Sequence, residues 1–127
     1  MIKQGLHESL FNKKARFFYK WFINGGAISL FTSTLDLNSE KAEQEASRLC
    51  KSVESYCNGL YQEELRYGAF RKSYKAFLDE PRVIAVSINY IVKTLLAEYP
   101  ECGHQIINFI RSKLTGSETK AGPALNK

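Results

Sequence analysis

Three cysteines and two histidines are the side chains with the most chemistry in them, and their spacing decides what they can do. Cys50 and Cys57 stand seven residues apart, and Cys102-Gly103-His104 sets a third thiol beside an imidazole. Four soft donors would suit zinc, whose structural sites hold thiolate pairs on short C-x₂₋₄-C knuckles. A seven-residue helical spacing puts the first two sulfurs two turns apart, too far to bind one ion directly. The cysteines therefore read as small apolar residues of a core. A nucleophilic thiol needs a base within reach. At i and i+2 of a helix, Cys102 and His104 point to different sides, and no glycine motif for an oxyanion site accompanies them. His7 reads as a surface residue. These absences lead to the expectation of a non-enzymatic protein without cofactor or metal.

Two clusters mix cations with aromatic rings. Lys13, Lys14, Arg16 and Lys20 lie among Phe11, Phe17, Phe18, Tyr19 and Trp21, while Arg66, Arg71, Lys72 and Lys75 lie among Tyr67, Phe70 and Tyr74. Single-strand nucleic-acid binders combine cationic grooves with exposed rings. Here the rings recur at helical spacing, which predicts a core stripe with the charges on a solvated back. The formal charge of +5 is uneven: residues 1–35 hold Lys3, Lys13, Lys14, Arg16 and Lys20 against Glu8 alone, while residues 36–80 are net acidic. Such a dipolar surface steers toward an acidic protein, a nucleic acid or an anionic membrane.

The same N-terminal region raises the question of a membrane anchor, because residues 16–35 crowd apolar side chains behind the basic leader. The window also contains Lys20, Asn24, Gly25-Gly26, Ser29 and Thr32-Ser33-Thr34. A central lysine costs about 2.5 to 3.5 kcal/mol on an insertion scale, and each Phe, Leu or Ile returns only a few tenths. The phrase FINGGAISL resembles the first hydrophobic segment of some small multi-spanning bacterial proteins. No second or third apolar span follows it, and no function is carried over. No signal-peptide cleavage pattern follows either, and an odd cysteine count makes no disulfide framework. The expectation is a cytoplasmic protein.

The elements that position these residues all have helical period. Over 4–23, Leu6, Leu10, Phe17 and Trp21 form one stripe, with Phe11, Phe18 and Phe22 beside it. Asn24-Gly25-Gly26 either kinks this helix or lets a neighbour pack closely against it, and Ala27 to Leu35 forms a short second helix. Asn38 or Ser39 caps the next helix, with Glu40 and Glu43 near its positive end. Ala42, Ala46, Leu49, Val53, Tyr56 and Leu60 then repeat in steps of four and three, resuming as Tyr67, Phe70, Tyr74 and Phe77. A single rod over about 39–78 is longer than a small core needs, so a bend near Gly59 or Gly68, or an oligomer, is expected. Pro81 restarts the chain into the most apolar segment, 82–98, which is the expected central helix. Pro100 opens a last helix ending at Thr115-Gly116.

The resulting expectation is an all-α bundle of four or five helices over 1–116 with a disordered tail over 117–127. Its expected work is that of a protein–protein interaction module of the adaptor, inhibitor/immunity or assembly-subunit type, with a homodimer as one form of that contact. The expected contact residues are Tyr56, Tyr61, Tyr67, Arg71 and Lys75 on the flank of the long helix, and Lys13, Lys14, Arg16 and Lys20 in the basic leader. The alternatives are nucleic-acid binding by that basic helix and peripheral membrane association through the amphipathic segment 10–35.

Overall fold

A computed structural model describes residues 10–67 and 73–115, and the described chain is all-helical. Leu6, His7, Phe70, Arg71, Lys72 and the tail at 117–127 lie outside the described residues.

Helix α1 (Leu10–Trp21) runs into a wide π-type turn, Phe22–Gly26, and then into α2 (Ala27–Ser29), which a second wide turn extends over Leu30–Thr34. The Asn-Gly-Gly run is a true kink. Asn24 leaves helical geometry at φ −100°, and Gly25 sits at φ +125°, a region that side chains with a Cβ rarely enter. Gly26 serves the other purpose weighed for this pair, close approach, but the neighbour is the chain's own Trp21: a Cβ on Gly26 would lie 2.4 Å from the indole. Hydroxyls of Thr32 and Ser33 donate to the carbonyls of Ile28 (3.0 Å) and Ser29 (2.6 Å). Such back-bonding accompanies loosened helical turns. Asp36, at φ +60°, ends the unit.

Asn38 caps α3 (Ser39–Arg66) by accepting from the Lys41 amide at 2.8 Å. This helix passes Gly59 unbroken and ends at Arg66. The expected rod to residue 78 is thus two helices, the second being the short α4 (Tyr74–Leu78), whose cap Ser73 accepts from the Ala76 amide. Helix α5 (Pro81–Glu98) begins on Pro81, as its missing amide proton favours, and a 3₁₀ turn at Pro100–Cys102 leads into α6 (Gly103–Thr115).

Helix α5 is central, touching α1, α3, α4 and α6. Its buried Ile84, Ile88, Ile91 and Leu95 join Phe18, Phe22, Leu30, Phe31, Leu49, Val53 and Ile106 in one apolar core. It runs antiparallel to α3. Arg48 of α3 forks onto Glu98 at 3.1 and 2.9 Å near one end, and Arg82 forks onto Glu64 at 3.1 Å on both arms near the other. These exposed pairs fix register more than they stabilise. The stripe Ala42–Ala46–Leu49–Val53 is buried inside the chain, against its own α2 and α5.

Candidate interaction face on the first helix and a cavity beside it

Of the two adjacent apolar stripes on α1, the core takes the one that holds Phe18 and Phe22. Ala15, Phe18, Tyr19 and Phe22 enter the core, whereas Leu10 is 68% exposed and Phe17 77% exposed. The separation of core rings from a charged back therefore fails at Phe17, which shares the solvent side of α1 with Lys13 and Lys20. Trp21, also from the expected core stripe, is only half-buried. It stacks on Phe109 of α6 at 6.2 Å between centroids, with the Lys113 ammonium 5.0 Å above the indole.

The four leader cations divide into two kinds. Arg16 and Lys20 are occupied at Asp79, the residue that closes α4, at 3.2 and 2.8 Å, and Arg16 also donates to the Asp79 carbonyl at 2.6 Å. The Lys20 hydrogen bond and charge, then the Arg16 charge, hold the Asp79 carboxyl below its ordinary range. These two cations tie α1 to the α4–α5 junction. Lys13 and Lys14 have no ion-pair partner among the described residues.

Two of the five residues expected on the flank of the long helix are half-buried against other elements. Tyr56 stacks on Tyr90 of α5 at 4.4 Å and 11° between planes, and the Tyr90 hydroxyl meets Ser52. Tyr61 packs on Tyr74 and Phe77 at 5.1 and 5.2 Å. Tyr67, just past the end of α3, and Lys75 are exposed, and Arg71 falls outside the described residues. The structure thus brings Tyr56 and Tyr61 to internal seams and leaves Tyr67 and Lys75 at the surface.

Among the described residues no three His, Cys, Asp or Glu side chains converge on a common metal position. Cys57 is buried, Cys50 and Cys102 are half-buried, and His104 is exposed. Sequence reasoning missed a polar seam that Cys57 completes. The Ser87 hydroxyl donates to the Val83 carbonyl at 2.7 Å, so Ser87 can only accept from the Cys57 thiol, 3.2 Å away. With its proton so placed, Cys57 accepts from the Tyr19 hydroxyl at 3.7 Å. Every hydrogen in this buried series has an acceptor. Burial, reinforced by Cys57, raises the Tyr19 phenol well above its ordinary value. Nothing local signals a partnership between residues 38 apart in sequence.

Tyr19 and Cys57 form one side of a cavity of about 250 Å³, walled by Ile23, Val53 and Leu78 and edged by Glu54 and Tyr74. A shallower groove of about 320 Å³ continues from it along α3, sharing Ile23, Cys50 and Glu54. Burial raises the Cys50 thiol, which is directed at the Ile23 carbonyl 3.9 Å away. On the far side of α1, Phe11 covers a smaller pocket of about 100 Å³ against Ala85, Ile88 and Leu114.

Among the described residues no helix is long and apolar enough to cross a membrane. Comparison with protein-family models, curated proteins and solved structures returns no match.

Proposed function

We infer that this chain is a non-enzymatic binding module that docks a second protein through the outward face of α1. The supporting observation is the pair Leu10 and Phe17, both strongly exposed on a helix that has Lys13 and Lys14 between them, with no ion-pair partner among the described residues. Burying a phenylalanine side chain is worth about 1.5 to 3 kcal/mol, and an aromatic anchor inserted in a pocket is the usual centre of a protein interface. The matching surface has two apolar recesses about 10 Å apart, the rise of seven helical residues, with carboxylates between them for the lysines.

The same geometry ranks the other partners lower. A headgroup-embedded helix presents a continuous apolar face, whereas on the face shared by Leu10 and Phe17 the intervening positions are Lys13 and Lys14. Nucleic-acid affinity grows with the number of phosphates neutralised, and two of the four leader cations are engaged by Asp79.

A photo-crosslinking amino acid at position 17, compared with one at the exposed α3 position of Glu63, tests the inference in the native cell. A discrete protein adduct specific to position 17, lost when Lys13 and Lys14 become Glu, is expected. Identical adducts from both positions, or none from position 17, would refute it. Co-sedimentation with anionic vesicles, or retention on an oligonucleotide that falls steeply with salt, would replace it with the membrane or nucleic-acid reading.

A further inference from the structure

The cavity beside Tyr19 has walls and an edge of different chemistry. Ile23, Val53 and Leu78 supply aliphatic surface from the kink after α1, from α3 and from α4. The polar groups deeper in the lining need nothing from an occupant, because the Tyr19, Cys57 and Ser87 hydrogens run in series to the Val83 carbonyl and the Cys50 thiol is turned to the Ile23 carbonyl. Internally satisfied polar groups leave a surface that behaves as apolar toward a ligand. The edge differs. Glu54 is exposed and has no ion-pair partner among the described residues, and it lies near enough to Tyr74 for its charge to act on that phenol. Lys51, three residues before Glu54 on α3, lines the neighbouring groove, which Glu54 and Glu43 also line, and is absent from the cavity lining.

We propose that this cavity binds a small lipophilic ammonium ion, its hydrocarbon body against Ile23, Val53 and Leu78 and its charged head between the Glu54 carboxylate and the ring of Tyr74. Glu54 and Tyr74 line the same cavity, and a carboxylate with an aromatic ring nearby suits an organic cation, the carboxylate acting through charge and hydrogen bonding and the ring through its quadrupole. Size restricts the body. At about 30 Å³ per water-sized group, a cavity of about 250 Å³ takes roughly eight heavy atoms, the scale of a hexyl or phenylethyl chain with its nitrogen. A carboxylate ligand of the same length would place like charge against Glu54, and an alcohol would gain the apolar contacts alone. This site is independent of the outward face of α1.

Titration of the whole chain with hexylammonium, phenylethylammonium, 1-hexanol and hexanoate, followed by amide NMR shifts, reads the proposal directly. Hexylammonium should bind at least tenfold tighter than 1-hexanol, with shifts centred on Tyr19, Val53, Glu54 and Tyr74, and hexanoate should bind more weakly than either. Glu54→Gln, at an exposed position that leaves the core intact, should abolish the preference for the ammonium while leaving 1-hexanol affinity unchanged. Ile23→Trp, which fills the cavity from its half-buried wall, should remove binding of both. No saturable shifts with either ammonium, equal affinity for ammonium and alcohol, or an ammonium preference that survives Glu54→Gln would each overturn the proposal.

Discussion

Replacing Gly26 by alanine offers a direct test of how the kink is held. Gly26 has helical angles, φ −66° and ψ −20°, so alanine there meets no backbone penalty and in isolation would regain up to about 1 kcal/mol of lost chain entropy. The new methyl would lie 2.4 Å from two indole carbons of Trp21 and 2.7 Å from a third. Carbon atoms pack at about 3.5 to 4.0 Å, so the ring must retreat by more than an ångström. It cannot do so freely, with Phe109 stacked on it, Phe18 6.1 Å away and Lys113 above it. Overpacking of this kind costs about 1 to 3 kcal/mol, which, less the full entropy gain, leaves Gly26→Ala destabilised by up to about 2 kcal/mol and its Tm lowered by up to roughly 10 °C for a chain of this length. Trp21 is the sole tryptophan, so native-state fluorescence reports the displaced ring as chemical denaturation reports the loss. In a Trp21→Leu background followed by circular dichroism, the same glycine change should become neutral or stabilising, a coupling of about 1 kcal/mol or more. A Gly26→Ala protein as stable as the parent with unchanged emission, or one equally destabilised without the indole, would refute this account.

Two further outcomes follow from ionisation. The Asp79 carboxyl is held below its ordinary pKa of 3.8 by Lys20 and Arg16, so its contribution is present above about pH 4 and disappears as pH falls through the depressed value. Asp79→Asn should therefore lower the Tm at pH 7 by an amount equivalent to less than about 1 kcal/mol, because the pair is half-exposed, and the two proteins should melt alike near pH 2. Burial raises the Tyr19 phenol above its ordinary value of 10.0, so its contribution is complete below that pH and is lost as pH rises toward the folded value. Denaturant titrations between about pH 9 and 11.5 should show stability falling by up to about 1.4 kcal/mol per pH unit above 10, and Tyr19→Phe should remove that component. Parallel alkaline profiles for parent and variant would contradict it.

The bundle was legible because helical period, Asn38, Pro81 and Pro100 act locally, and each appears where it was expected. The end of α3 was harder, since its apolar period continues in phase through Tyr67; of the two bends expected, Gly59 is passed unbroken, and the helix ends at Arg66, near Gly68, before the Ser73 cap of α4. Tyr56 and Tyr61 were expected on the exposed flank of α3, but each is half-buried against a ring on another element, Tyr90 or Tyr74 and Phe77. Such pairings depend on tertiary register and leave no local trace. Arg16 and Lys20 likewise look like their neighbours Lys13 and Lys14 until Asp79, far along the chain, arrives beside them.

The choice of buried stripe on α1 shows what periodicity leaves undetermined. Leu10 and Phe17, seven residues apart, are as hydrophobic as Phe18 and Phe22, four apart, and both spacings keep one face of a helix, so hydrophobicity alone cannot rank the two faces. The kink supplies the decision. With Gly25 in left-handed geometry and Gly26 giving room to Trp21, α2 folds back over α3, and the face continuous with Phe22, Ala27, Leu30 and Phe31 becomes the inner one. Ala15 and Gly26, two small residues in register with Tyr19 and Phe22 at steps of four, three and four, mark that face in the sequence as the one where neighbours approach closely. Phe17 then has no inward position to occupy. A benzyl side chain kept outside, next to lysines with no ion-pair partner among the described residues, adds nothing to the core, which is why the first helix, and not the long third one, carries the interaction proposed for this chain.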